Sequence, residues 1–234
     1  IRDSYNIRYI EYGEKDFTNI QKDLKMIVVL YKCRAVFFWE EYMEYSGTWK
    51  EIWTQKGAME GTKEDIRVFD GWEKSTADMK ETADRIMGIL DIKPTDRVLE
   101  VGCGAGGLAQ YMDCEYIGID FSKTLVNRCM EFYQKSAVYS EANDIPFKDR
   151  YFDKCFSWGV FLYFPSQEYV DQVISEMKRV TKNRIFIGEL PMVSHDSKHM
   201  LYQPEQFQKS GFETMRGWSE PYCDIRFNAL WGEK

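Results

Sequence analysis

The spacing of apolar positions along the chain changes near residue 96. From about Phe17 to Tyr45 they recur at helical spacing, with Ile20, Leu24, Ile27 and Tyr31 on one face, which predicts one or two helices closed by Gly47. The stretch from Trp49 to Trp72 carries Trp49, Trp53 and Trp72 among several glycines and reads as irregular structure with short helical turns. A helix is expected over about 75–90, with Ser75 as its N-cap and Ile86, Ile89 and Leu90 turned to a core.

From Asp96 onward short apolar runs alternate with helical patterns. Strands are expected at 97–102, 115–120, 137–140, 152–158 and 184–189, with helices near 107–112, 122–134 and 166–180. This alternation predicts an α/β sheet with mostly parallel strands and helices on both faces. Two last strands, near 212–217 and 225–231, follow without a long helix between them, so the sheet should close antiparallel. The chain is thus expected to divide into a helical extension or lid over 1–72 and a sheet domain over 73–234.

Composition narrows the function classes. The 234 residues, 44% hydrophobic and 16% aromatic, suffice for one sizeable core. A formal net charge of -7 without a Lys/Arg run argues against a nucleic-acid partner. Six cysteines without a C-x-x-C pair spell neither a zinc knuckle nor a redox couple, and suggest reduced thiols in a cytoplasmic protein. The most apolar stretch, Met26 to Trp39, is broken by Lys32 and Arg34 well short of a membrane span, so no membrane partner is expected. The first residue is Ile1, which suggests a trimmed chain or a fragment of a longer one.

The central chemical signal is Glu100-Val101-Gly102-Cys103-Gly104-Ala105-Gly106-Gly107, between a buried strand and a helix. Glycines there let the backbone turn tightly and approach a ligand, and the N–H groups beyond them can face it. Gly102, Gly104 and Gly107 also satisfy G-x-G-x-x-G, so the turn alone fits either S-adenosylmethionine or a dinucleotide. Asp120, about 20 residues beyond Glu100, ends the second strand, where a carboxylate can accept both ribose hydroxyls of an adenosine ligand.

Glu141-Ala142-Asn143-Asp144-Ile145-Pro146-Phe147 follows the third strand, and Tyr151-Phe152-Asp153-Lys154-Cys155-Phe156-Ser157 comes next. With these motifs in this order, residues 75 to 231 resemble the class I S-adenosylmethionine-dependent methyltransferases, in the branch acting mainly on small molecules. The resemblance implies a Rossmann-like sheet of seven strands with an antiparallel last strand. It also implies S-adenosylmethionine as cofactor and S-adenosylhomocysteine as product. The turn from Glu100 through Gly102, Cys103 and Gly104 would cradle the methionine and ribose portions. Asp120, with Phe121 beside it, would hold the ribose, and Asn143, Asp144 and Ile145 the adenine. Ser157 and Trp158 would line the methionine portion, with Trp72 and Tyr163 as walls around the sulfonium. The chain departs from many relatives in having Phe161-Leu162-Tyr163-Phe164 after the fourth strand in place of a histidine or a second polar residue.

An oxygen acceptor must lose a proton, and the two histidines, His195 and His199, follow the fifth strand at the carboxyl edge of the sheet. They are candidate bases beside Glu189, and no metal site is expected because no third ligand accompanies them. Tyr163, Tyr222 and Arg226 are candidate contacts to a small-molecule acceptor. The reading is an oxygen or nitrogen methyltransferase. Two rivals are a catalytically silent relative serving as a partner subunit and a nicotinamide-dependent oxidoreductase. The N-terminal helices would cover the cofactor, or else serve for dimerisation or for docking a neighbouring domain.

Overall fold

The structure is a computed structural model that describes residues 28–31, 34–37, 48–73, 75–193, 198–219 and 222–232. The chain divides into two units, Ile1–Tyr45 and Ser46–Lys234. In the first unit, β1 (Val28–Tyr31) and β2 (Arg34–Phe37) pair antiparallel, Val28 opposite Phe37 and Tyr31 opposite Arg34. This corrects the helix expected through these residues. Val28, Val29 and Val36 are β-branched and suit a pleated ladder better than a helix. The rest of the expected helical stretch before Tyr45 lies outside the described residues.

The second unit opens with α1 (Trp49–Ala58), whose N-terminus is held by a capping box between Thr48 and Glu51. A short helical turn, α2 (Ile66–Phe69), precedes α3 (Met79–Leu90). Ser75 does not cap α3 as expected: its Oγ accepts from Ala77 N at 3.1 Å, and the Asp78 side chain accepts from Glu81 N at 2.8 Å. An aspartate immediately before the first turn meets the exposed N–H groups directly, which the more distant serine cannot do.

Then come β3 (Arg97–Val101), β4 (Glu115–Asp120), α4 (Lys123–Tyr133) and β5 (Ser136–Tyr139). They are followed by β6 (Phe152–Trp158), α5 (Gln167–Val180) and β7 (Thr181–Pro191). The chain ends with α6 (Pro204–Lys209), β8 (Glu213–Arg216) and β9 (Arg226–Trp231). The helix expected near 107–112 is only a 3-10 turn over Ala109–Tyr111. Gly106 and Gly107 at its start disfavour a regular helix.

The sheet order is β5-β4-β3-β6-β7-β9-β8, with β9 antiparallel to both neighbours and the other pairings parallel. Alternate residues of the central strands feed opposite cores. Leu99, Val101, Ile185 and Ile187 pack with Val170, Val173 and Met177 of α5, whereas Val98, Phe156 and Phe186 pack with Ile86 and Leu90 of α3. The chain reverses its direction of progress between β3 and β6. A crevice opens there beyond the carboxyl ends of the strands, the usual ligand position in such sheets.

Candidate functional site

The glycine turn leaves β3 at this crevice. Gly102 has φ +79°, and a Cβ on it would lie 2.4 Å from Val160 Cγ2, so only glycine lets β3 end against the loop after β6. Each N–H from 102 to 107 has an acceptor within the protein. Gly102 N and Cys103 N donate to Ile119 O, and Gly106 N donates to Cys103 O. Gly104 N donates to Asp120 Oδ2 at 3.0 Å. Ala105 N and Gly107 N donate to the two carboxylate oxygens of Asp70, each at 2.6 Å.

Asp120 also accepts from Ser122 N at 2.8 Å. It is 9% exposed at the end of β4, and burial pushes its carboxyl up to about 6 although both backbone bonds pull the other way. Asp70 is half-buried, its outer surface turned to the cavity, and loss of solvent pushes its carboxyl up to about 7. Glu100 is buried under the turn and accepts from the Tyr116 hydroxyl. Burial holds its carboxyl well above the ordinary range, although the Tyr116 hydrogen bond pulls the other way. The Cys103 thiol, hydrogen-bonded to Cys129 and buried, is likewise raised and stays protonated.

Above the turn lies a cavity of about 670 Å³, a size typical of small-molecule sites. Trp72, Glu100, Gly102, Cys103, Gly104, Asp120, Phe121, Trp158 and Tyr163 all line it, as does Asp70. One end is aromatic. The Tyr163 ring meets Trp49 at 4.7 Å and Trp53 at 5.1 Å between centroids, and Trp49 Nε1 donates to Lys198 O at 3.0 Å. Glu141 also lines the wall, pairs with Lys50 of α1 and accepts from the Tyr169 hydroxyl at 3.2 Å.

Other expected site residues stand outside this wall. Asn143 Nδ2 donates to Gln172 Oε1 at 2.8 Å, and Asp144 is exposed. Ile145 is buried in the core with its N–H given to Glu176, and Ser157 Oγ donates to Val101 O at 2.8 Å. Ser140, Glu141 and Ala142 line the cavity at the end of β5. His199 stacks on Trp49 with centroids 5.0 Å apart, between Lys198 and Met200, which both line the cavity. His195 lies outside the described residues. Glu189 is 4% exposed and ion-paired with Arg226, whose guanidinium lies 4.4 Å from the Tyr222 ring centroid. Arg226 borders a separate cavity of about 350 Å³. Among the described residues no cluster of metal-ligating side chains occurs.

Asp70 and Lys50 carried no sequence signal. Glu141 stood in a recognised motif, three residues before Asp144.

The cavity suits an adenosine ligand joined to a methionine-like arm. The Asp120 carboxylate keeps acceptor capacity beyond its two backbone bonds, and Gly102 and Gly104 leave the turn bare. Residues 99–186 match the family model described as a methyltransferase domain. A segment of 106 residues is 36% identical to phosphoethanolamine N-methyltransferase of Triticum aestivum, covering 42% of this chain and 21% of that protein. A segment of 158 residues is 28% identical to the chloroplastic tocopherol O-methyltransferase of Arabidopsis thaliana, covering 60% and 44%. The matched segments therefore span half or less of these curated relatives.

The fold is similar to that of the N-methyltransferase NodS of Bradyrhizobium japonicum, solved with S-adenosylhomocysteine. The TM-score is 0.62 at 13% identity, over 79% of this chain and 97% of that one. It also resembles the magnesium protoporphyrin IX methyltransferase of Synechocystis, solved with S-adenosylmethionine, with TM-score 0.53, 16% identity and coverage of 78% and 89%. Residues 99–186 thus carry a methyltransferase-domain match, and the sheet from β3 to β9 has the Rossmann-like fold of methyltransferases solved with S-adenosylmethionine or S-adenosylhomocysteine.

Proposed function

We propose that this protein transfers a methyl group from S-adenosylmethionine to an oxygen or nitrogen of a small molecule. One observation carries the reading: a single cavity joins the glycine turn and Asp120 to an aromatic chamber walled by Trp49, Trp53 and Tyr163. In this reading Asp120 accepts the ribose hydroxyls. The wall at Glu141 and Ala142 meets the adenine edge, a role first assigned to Asn143, Asp144 and Ile145.

The bound cofactor supplies an electrophilic methyl on a sulfonium. The aromatic lining formed by Trp158 and Tyr163 favours that positive charge, and the cover formed by α1 excludes water. Holding acceptor and donor in line then contributes most of the rate. His199, stacked on Trp49 beside the chamber, is the base for an oxygen acceptor, and an amine acceptor needs only to enter unprotonated. The names of the relatives, an amine methyltransferase and a tocopherol methyltransferase among them, support a small-molecule acceptor. The cytoplasmic setting is part of the same reading, supported by the free thiols of Cys103, Cys114, Cys129 and Cys155.

The test is incubation with methyl-labelled S-adenosylmethionine and a fractionated small-molecule extract. Label should pass to a small molecule in a protein-dependent manner. Cofactor binding with no transfer to any fraction would leave the silent-partner reading in its place.

A further inference from the structure

A glycine turn opening onto helical backbone is ordinarily a seat for phosphate, because its N–H groups point outward unpaired. In this chain that seat is already filled. Ala105 N and Gly107 N each donate to an Asp70 oxygen at 2.6 Å, and the other N–H groups from 102 to 107 are committed to Ile119 O, Asp120 and Cys103 O. The glycines are shaped to this carboxylate. A Cβ on Gly104 would lie 2.4 Å from Asp70 Oδ1, and one on Gly107 would lie 2.6 Å from Asp70 Oδ2. Asp70 comes from the loop after α2, which carries the segment before the sheet down onto the turn.

We propose that Asp70 is a specificity-determining residue that excludes phosphate-bearing adenine nucleotides by occupying the anion seat of the glycine turn with an internal carboxylate. A pyrophosphate reaching the turn would have to displace two short hydrogen bonds. It would also meet the carboxylates of Asp70 and Asp120 together. Lys56, whose charge acts on Asp70, is engaged by Glu73 at 2.6 Å and by Val68 O. An adenosine ligand whose arm carries a cationic centre instead of phosphate meets no such penalty. This inference rests on the reading that the cavity takes an adenosine ligand. It adds the reason a G-x-G-x-x-G spacing here does not serve a dinucleotide.

The experiment is calorimetric titration of the full chain with ADP-ribose, adenosine and S-adenosylhomocysteine, using wild type, Asp70→Ala and Asp70→Asn. Wild type should bind ADP-ribose much more weakly than S-adenosylhomocysteine. In the variants ADP-ribose should bind about tenfold tighter or more, while adenosine stays within about twofold. Asp70→Asn preserves the shape and covers the case in which alanine unfolds the turn, with a thermal melt as the check on folding. ADP-ribose affinity no higher in a folded variant, or a parallel loss for all three ligands, would overturn the proposal. Absence of S-adenosylhomocysteine binding to wild type, with the other two ligands behaving as expected, would overturn the methyltransferase reading alone and leave the role of Asp70 supported.

Discussion

Gly188 of β7 lies directly beneath the indole of Trp158 on the neighbouring strand, where a Cβ would come within 2.1 Å of Trp158 Cε3. The indole is held there from its other neighbours too, stacked on Trp218 with centroids 5.0 Å apart and 23° between planes. A glycine in mid-strand ordinarily weakens a sheet, and here it makes room for a cavity wall. Gly188→Ala should therefore destabilise the fold by about 1–3 kcal/mol through overpacking. It should also weaken S-adenosylhomocysteine binding, since Trp158 must leave its position. Denaturant midpoints and calorimetry check both, and unchanged cofactor affinity would detach Trp158 from the ligand.

The Glu189–Arg226 pair makes a different prediction. Glu189 takes a left-handed φ of +65° at an irregularity in the β7–β9 register, and its N–H donates to Asn228 Oδ1 at 3.0 Å. Its side chain is 5% exposed and that of Arg226 15%. Removing the partner of a buried charge is costly, so Arg226→Met should lower stability by about 3–5 kcal/mol. Glu189→Met in the same chain should recover much of the loss. A stable Arg226→Met with lost turnover would instead assign Arg226 to acceptor binding.

The raised acids give a pH dependence whose sign can be stated. Asp70 and Asp120, pushed up to about 7 and about 6 by burial, hold protons in the folded state that an unfolded chain releases near its ordinary carboxylate range. The folded state thus binds more protons across this window, and stability should rise as pH falls from about 8 through these values. Lys56, Glu100 and Tyr133 also face Asp70 electrostatically, so the slope belongs to the cluster. Glu176 and Asp153, held low by Arg179 and Lys182, act in the opposite direction once the solution is strongly acid. Cofactor affinity should run against stability. Below about 6 a proton on Asp120 occupies an oxygen needed by the ribose, so binding should weaken, and Asp120→Asn should lose that dependence.

For catalysis, His199→Ala should lower turnover on an oxygen acceptor about a hundredfold or more while leaving S-adenosylhomocysteine affinity nearly unchanged. His195→Ala tested in parallel separates the two. Full activity in both variants would remove the histidines from the reaction.

The sheet was legible in the sequence because its central strands are buried on both faces. Runs such as Val98-Leu99 and Ile185-Phe186-Ile187 are continuously apolar and flanked by turn residues. Asp120 was legible because strand period and motif distance both place an acid at a strand end. Asp70 was not, since its partners Ala105 and Gly107 lie 35 and 37 residues away and no local pattern marks it. The segment after β5 shows the limit of spacing arguments. It gave the right strand end, but whether Glu141 or Asp144 turns to the cavity depends on how the loop rests on α5, through Asn143 to Gln172 and Ile145 to Glu176. The β1–β2 pair escaped because a short apolar run fits helix and strand alike.

The placement of β9 between β7 and β8 imposes an order on assembly. β8 is made before β9, yet among the described residues its one ladder runs to β9, with Glu213 opposite Leu230 and Arg216 opposite Phe227. During synthesis β8 must wait as an unpaired ribbon until the following strand threads in beside β7. Residues 226–231 therefore act as the keystone of that edge: whatever delays them leaves two open strand edges exposed to other chains.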